Sequence, residues 1–237
     1  MAKQLKEQNG KKIVPMLIVL AVVLVVACIA IVIYNRQKDN GSSGQQTAGQ
    51  EQQEDNKDTS SGSGGTQADI GGKCYADIEI KDYGKITVEL DEKSAPITVK
   101  NFVSLAKDGF YNGLTFHRIM EGFMMQGGDP EGTGMGGSGK TIIGEFANNG
   151  YANNLSHTRG AISMARSSSN NSASSQFFIV HQDSLFLDGD YAVFGYVTEG
   201  IEVVDAVCQD AQPVDDNGTI PPEQQPVITS ITIRDEA

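Results

Sequence analysis

Twenty-two consecutive residues, Ile13–Tyr34, carry no charge. As a helix rising about 1.5 Å per residue they extend roughly 33 Å, enough to cross a hydrocarbon core of about 30 Å. The apolar region of a cleaved secretory signal is typically about 7–15 residues, so the length favours an uncleaved anchor at residues 13–34. Ahead of it lie Lys3, Lys6, Lys11 and Lys12 against Glu7, a net +3 in the first twelve residues. The whole chain is −12, so the remainder is net −15. This asymmetry predicts a cytoplasmic segment at 1–12 and export of everything after the run, giving a single-pass cell-membrane protein with an extracytoplasmic domain.

A second reading of the same run stays open. Val25-Val26-Ala27-Cys28 resembles the lipobox of bacterial lipoproteins, which would anchor the chain through lipidated Cys28. Against it, Ile-Ala-Ile-Val-Ile follows the cysteine where polar chain is usual.

Residues 35–72 are almost free of bulky apolar side chains, and 20 of the 38 are Gly, Ser or Gln. Such a segment cannot offset its ordering entropy by burial and is expected to be a disordered linker spanning roughly 35 Å. What remains, 73–237, is 165 residues, a suitable length for one globular core.

In that remainder the pattern turns to alternation. Tyr75, Ile78 and Ile80, the turn Lys81-Asp82-Tyr83-Gly84, and Ile86, Val88 and Leu90 read as a β-hairpin. Ser94-Ala95-Pro96 supplies an N-cap candidate and an early-turn proline. Val99, Phe102, Val103 and Ala106 then give one amphipathic helix before Gly109. Short apolar stretches recur at 115–119, 123–126, 161–165, 176–180 and 192–197. A second helix is expected at Ile201–Val207 and a closing strand at Val227–Ile233. Many short strands with two helices predict a mainly β fold, a closed antiparallel barrel.

Several chemistries are disfavoured. Three cysteines do not make a disulfide framework, and no C-x-x-C or H-E-x-x-H spacing exists to hold zinc. Pairing of Cys74 with Cys208 stays open, because sequence does not show their separation. An acidic body lacks the electrostatic footprint for nucleic acid. Gly132-Thr-Gly134-Met-Gly136-Gly137 satisfies G-x-G-x-x-G, but Gly-Gly-Asp-Pro precedes it and Ser-Gly-Lys follows, so the strand and helix of a dinucleotide site are missing. No G-x-S-x-G elbow points to a hydrolase. His117, His157 and His181 read as structural, hydrogen-bonded side chains.

Phe116-His-Arg118-Ile places one arginine in apolar and aromatic surroundings. Strict alternation puts Arg118 on the same face as Phe116, and Met124 with Gln126 on one face of the next strand. Together with Gly122-Phe-Met-Met-Gln126-Gly-Gly-Asp129, Gly132-Thr-Gly134, Ile162-Ser-Met164-Ala165, Ser175-Gln-Phe-Phe-Ile179, Leu187-Asp-Gly189 and Val193-Phe-Gly195, the stretch resembles the cyclophilin family of peptidyl-prolyl cis-trans isomerases in order and spacing. The resemblance covers Lys73 to Asp235. It implies an eight-stranded cyclophilin-like β-barrel capped by two helices, acting without metal or cofactor as a monomer.

The same resemblance implies roles. Arg118 is the catalytic arginine; Phe123, Met124, Phe178 and Leu187 wall the proline pocket. Gln126 contacts substrate backbone, and Ala165 with Gln176 shapes the groove for the preceding residues. Phe186 stands where the family's tryptophan or its substitute falls, and Tyr191 where its pocket histidine falls. Arg166 replaces an asparagine, Glu121 a proline, and the loop 167–172 is about one residue longer. Bacterial members show such changes, which bear on cyclosporin affinity and peptide preference more than on activity. Weakened cyclosporin binding is expected.

The implied reaction is rotation about X-Pro bonds of unfolded or exported polypeptides. The alternatives are a proline-binding or chaperone module with incidental catalysis, or an inert adhesin domain. A donor beside the proline pocket favours the enzyme.

Overall fold

The computed structural model describes residues 73–236. The expected anchor at 13–34, the Cys28 alternative and the linker lie outside the described residues. Among the described residues no helix is long and apolar enough to cross a membrane.

The chain opens with the expected hairpin, β1 (Lys73–Ile80) against β2 (Gly84–Leu90), with Ile78 opposite Ile86. Its tight turn needs a left-handed residue, which Asp82 supplies at φ 67°. Helix α1 (Pro96–Lys107) follows and buries Val99, Phe102 and Ala106 at helical spacing. Its cap differs from the Ser94 expectation. The N-cap is Ala95, which has no side-chain acceptor, and Ser94 N–H donates instead to Asp91 Oδ1 at 2.8 Å. The free donors of the first turn are taken by a distant carboxylate. Glu145 Oε1 accepts from Ile97 N–H at 3.0 Å, and Oε2 accepts from the N–H and Oγ1 of Thr98 at 2.7 Å each.

Strands β3 (Thr115–Met120), β4 (Met124–Asp129), β5 (Ala161–Met164), β6 (Phe177–Val180) and β7 (Ala192–Glu199) come next, then helix α2 (Ile201–Asp210) and β8 (Ile228–Glu236). All pairings are antiparallel, in the order β3-β4-β6-β5-β7-β2-β1-β8. The sheet curls into a half-barrel. The two edge strands meet at one end, through a Thr115–Val227 bridge and bonds from Phe116 N–H to Pro226 O and from Ile228 N–H to Leu114 O. That is less than the continuous ladder of the expected closed barrel. The rest of the β3 edge is covered by the segment before β8, with Ile119 N–H on Gly218 O and Ile220 N–H on His117 O. An edge so covered offers no template for another strand.

The interior is a lattice of rings. Phe102 of α1 lies 5.2 Å from Tyr111, 5.5 Å from Phe177 and 5.2 Å from Phe194. Helix α2 adds Val203, Val204, Val207 and Cys208 to the same core. Cys74 and Cys208 are free thiols, and burial pushes the Cys208 pKa up to about 12. A second, smaller cluster of Met124, Ala161, Phe178, Val180 and Val193 packs separately.

One register prediction fails. Strict alternation would set Phe116 and Arg118 on one face, but the β3–β4 register shifts between them: Phe116 opposes Gly127 and Arg118 opposes Gln126. The irregularity turns Phe116 and Ile119 into the core and leaves Arg118 beside Met120 on the other side.

Candidate active site

The irregularity in β3 aims Arg118 at the side chains of β4. Its Nε donates to Asn217 O at 2.7 Å, a strong anchor. Its terminal nitrogens meet weaker acceptors: Nη1 faces Gln126 Oε1 at 3.3 Å and Met124 Sδ at 3.9 Å, and Nη2 faces Met120 Sδ at 3.3 Å. The guanidinium carbon lies 5.9 Å from the Phe123 ring centre. Burial lowers the Arg118 pKa from its ordinary value, partly offset by Tyr191 and Asp215, and arginine stays charged at any relevant pH.

Arg118 opens onto a cavity of about 160 Å³. Phe123, Met124 and Gln126 line it on the β4 side, with Phe178 of β6, and Ala165, Arg166, Leu187 and Tyr191 complete the lining. The register explains the convergence, since Gln126 pairs with Phe178 and Met124 with Val180. Two rings hold Phe178: the His157 ring stacks on it at 5.9 Å and 13°, and Tyr191 meets it edge-on at 6.0 Å. Burial pushes the His157 pKa down, and Asp188 only partly restores it. A neutral ring fits its contacts, with Nδ1–H donating to Asp188 Oδ1 at 2.7 Å and Nε2 accepting from Ser163 Oγ at 3.0 Å.

Two expected substrate residues lie just outside the cavity lining. Gln176 instead fixes Gln126: its Oε1 accepts from Gln126 Nε2 at 2.9 Å, and its own Nε2 donates to Gly134 O at 3.0 Å and Gly136 O at 2.8 Å. Phe186 is 73% exposed and packs its ring 5.5 Å from Phe123, extending the rim. The residue that sequence reasoning did not place in the site is Arg166, which lines the cavity. Its only signal was a departure from a familiar motif.

The glycine run at 132–137 is a loop wrapped on a buried carboxylate. Asp129, 1% exposed, accepts from the N–H groups of Glu131, Thr133 and Gly134 at 2.8, 3.0 and 2.6 Å. Donors that would hold a phosphate in a dinucleotide site are already occupied. A Cβ at Gly136 would collide with Asp129 Oδ1, so only glycine fits there. Burial raises the Asp129 pKa, but the backbone donors outweigh it and leave the carboxyl below its ordinary value.

Of the histidines, His117 departs from the hydrogen-bonded expectation. It is 5% exposed and neither ring nitrogen has a partner among the described residues, so burial holds its pKa down. Among the described residues no group of three His, Cys, Asp or Glu side chains is set to hold a metal ion.

A cavity lined by apolar side chains, two guanidiniums and an amide suits an uncharged ring attached to a peptide. The model of the family "Cyclophilin type peptidyl-prolyl cis-trans isomerase/CLD" matches residues 75–233. A peptidyl-prolyl cis-trans isomerase of Helicobacter pylori (strain 26695) is 48% identical over 137 residues, 57% of this chain and 80% of that protein. The peptidyl-prolyl cis-trans isomerase B of Bacillus subtilis is 49% identical over 123 residues, 52% of this chain and 82% of the relative. Among solved structures, a Cryptosporidium parvum cyclophilin type peptidyl-prolyl cis-trans isomerase, crystallised in the presence of the dipeptide Ala-Pro, superposes with a TM-score of 0.59 at 32% identity. The match covers 68% of this chain and 98% of that one. With the fold, the site and these relatives in agreement, the chain belongs to the cyclophilin-type peptidyl-prolyl cis-trans isomerase family.

Proposed function

We propose that Arg118 and the apolar walls facing it carry the chain's peptidyl-prolyl cis-trans isomerase activity, with Arg118 donating a hydrogen bond to the prolyl nitrogen as the X-Pro bond twists. Amide resonance sets a barrier of about 18–20 kcal/mol, and uncatalysed exchange takes tens to hundreds of seconds. No bond breaks. At mid-rotation the nitrogen leaves conjugation, becomes pyramidal and acquires a lone pair that the planar ground state lacks. A donor beside it stabilises the twisted state selectively.

The observation that carries this reading is the division of labour within one guanidinium. Nε is committed to Asn217 O at 2.7 Å, while Nη1 and Nη2 face thioether sulfurs and a 3.3 Å amide oxygen. Those weak contacts are readily exchanged for a developing lone pair. The gain is about 1.5–3 kcal/mol, up to roughly 4 in a preorganised dry site. An acceleration of about 10⁶ needs about 8 kcal/mol. The remainder is assigned to Phe123, Met124, Phe178 and Leu187, which grip the proline ring while the preceding residues rotate, and to desolvation of the amide. Gln126, held by Gln176, is the contact for peptide backbone; Ala165, Tyr191 and Phe186 border the flanking residues. Replacing Arg118 by Ala in the full chain is expected to lower kcat/KM for a proline tetrapeptide by about 10²–10³. Near-wild-type turnover by that variant overturns the assignment.

The uncharged run at 13–34 and the lysines before it support a tethered enzyme whose catalytic domain works outside the membrane on proline-containing exported polypeptides. Lipidation at Cys28 would place the domain on the same side. Protease added to intact cells or spheroplasts is expected to digest the domain, and full protection rejects the topology.

A further inference from the structure

Arg118 shares the cavity wall with a second guanidinium, that of Arg166. Its carbon lies 4.8 Å from the Tyr191 ring centre and 5.0 Å from that of Phe146. Nε donates to Asp190 O at 2.8 Å, and Nη1 to Ser167 O at 3.0 Å and Ser168 O at 3.5 Å. Two rings and three carbonyls hold the side chain, yet none of them neutralises it. Among the described residues no carboxylate pairs with Arg166, and its Nη2 has no acceptor. Asp190 turns its carboxylate away, to Asn148 Nδ2 at 2.8 Å.

Arg118 repeats the pattern. It is anchored by a carbonyl, and the carboxylate of nearby Asp215 is engaged by Thr219 and by the Asn217 N–H. Among the described residues no carboxylate lines the cavity. In a chain with 30 acidic against 18 basic residues, this is a local reversal of sign.

We propose that Arg166 makes the site select X-Pro segments that carry an acidic side chain next to the proline. This rests on the reading of the Arg118 cavity as the isomerase site. A guanidinium offers a planar fork of donors matched to a carboxylate, and one already fixed by its neighbours loses little freedom on binding. Tyr191 borders the proline pocket and Ala165 borders the flank, so Arg166 between them reaches residues immediately beside the proline. A lysine there meets two cations instead. The acidic excess of the whole chain opposes acidic peptides only from a distance, and at physiological salt it is screened over about 8 Å.

The test uses the full chain and proline tetrapeptides with Glu, Gln or Lys immediately before or immediately after the proline. An exposed charge pair changes affinity about two- to fivefold, so the Glu-to-Lys ratio of kcat/KM is expected to reach about fivefold or more on at least one flank at low salt. Raising salt above roughly 0.5 M shrinks it. Arg166→Lys keeps the charge without the fork and leaves a smaller ratio that still favours Glu, whereas Arg166→Gln brings it to within about twofold of unity, whatever either does to the overall rate. A wild-type ratio near one, or a ratio that survives Arg166→Gln, overturns the preference while leaving the isomerase reading intact. No turnover of any peptide overturns both. Should Arg166→Gln fail to fold, the wild-type salt series and Arg166→Lys decide the matter alone.

Discussion

Strands β4 and β6 each bury both faces, but the two faces do different things. Met125, Phe177 and Ile179 point into the main core, where Phe177 meets Phe102, Tyr111 and Phe116 edge-on at 5.5, 5.6 and 6.0 Å. Met124, Phe178 and Val180 point the other way, into the smaller cluster beside the cavity of about 160 Å³. Rings fill the first side. The second keeps open space and gathers Arg118, Gln126 and Arg166 around it. Adjacent residues of one strand thus serve two settings: one face packs into the main core, and the other borders the cavity that the proposed function assigns to substrate.

The strongest way to break this comparison is to truncate the neighbours Phe177 and Phe178. Phe177→Ala is expected to cost about 3–5 kcal/mol of stability, read from denaturant unfolding, while the molecules that remain folded keep kcat/KM within a few-fold. Phe178→Ala is expected to cost less, because the vacated space joins a cavity that already exists, and to lower kcat/KM at least tenfold. Equal losses of stability and activity in both variants would erase the distinction.

A smaller effect is expected at Glu145, which is 1% exposed and caps α1 from across the chain. Glu145→Ala leaves buried N–H groups without an acceptor and is expected to destabilise by about 1–3 kcal/mol. Phe146 stacks on Arg166, so a shift of charge preference in this variant would show the core and site faces coupled through that loop. An unchanged unfolding midpoint contradicts the capping role.

The mildest test is acid. Burial depresses the pKa of His117 and His157 below 6.5, so their neutral forms are favoured by folding. Their contribution is present in full above 6.5 and is lost as pH falls through the lower folded values. Asp129, depressed below 3.8 by backbone donors that outweigh burial, contributes above 3.8 and loses its share further down. Two successive declines in unfolding free energy are expected on acidification from pH 7. A flat profile down to pH 4 contradicts the histidine assignment.

Much of the fold was legible because it is local. The alternation of Ile78 and Ile80 with Ile86 and Val88, and the spacing of Val99, Phe102 and Ala106, report hairpin and helix directly. What escaped depends on partners far away or on one-residue irregularities. The β3 register shift flips Arg118 relative to Phe116 without any change of residue type. The cap of α1 comes from Glu145, 47 residues beyond Thr98, so a nearby serine was the natural guess. In the site, Arg118, Met124, Gln126 and Phe178 came from linked motifs, and the structure brings them to one cavity. Arg166 was visible only as a substitution, because its significance lies in Phe146 and Tyr191 stacking beside it and in the lack of an ion-pair partner among the described residues.

In the proposed mechanism Arg118 meets the prolyl nitrogen. The direct measurement is a crystal structure of the protein with a bound X-Pro peptide. The proline ring is expected between Phe123, Met124, Phe178 and Leu187, with an Arg118 Nη within about 3–3.5 Å of the imide nitrogen. A guanidinium turned to bulk water, with the ring bound elsewhere, would contradict it.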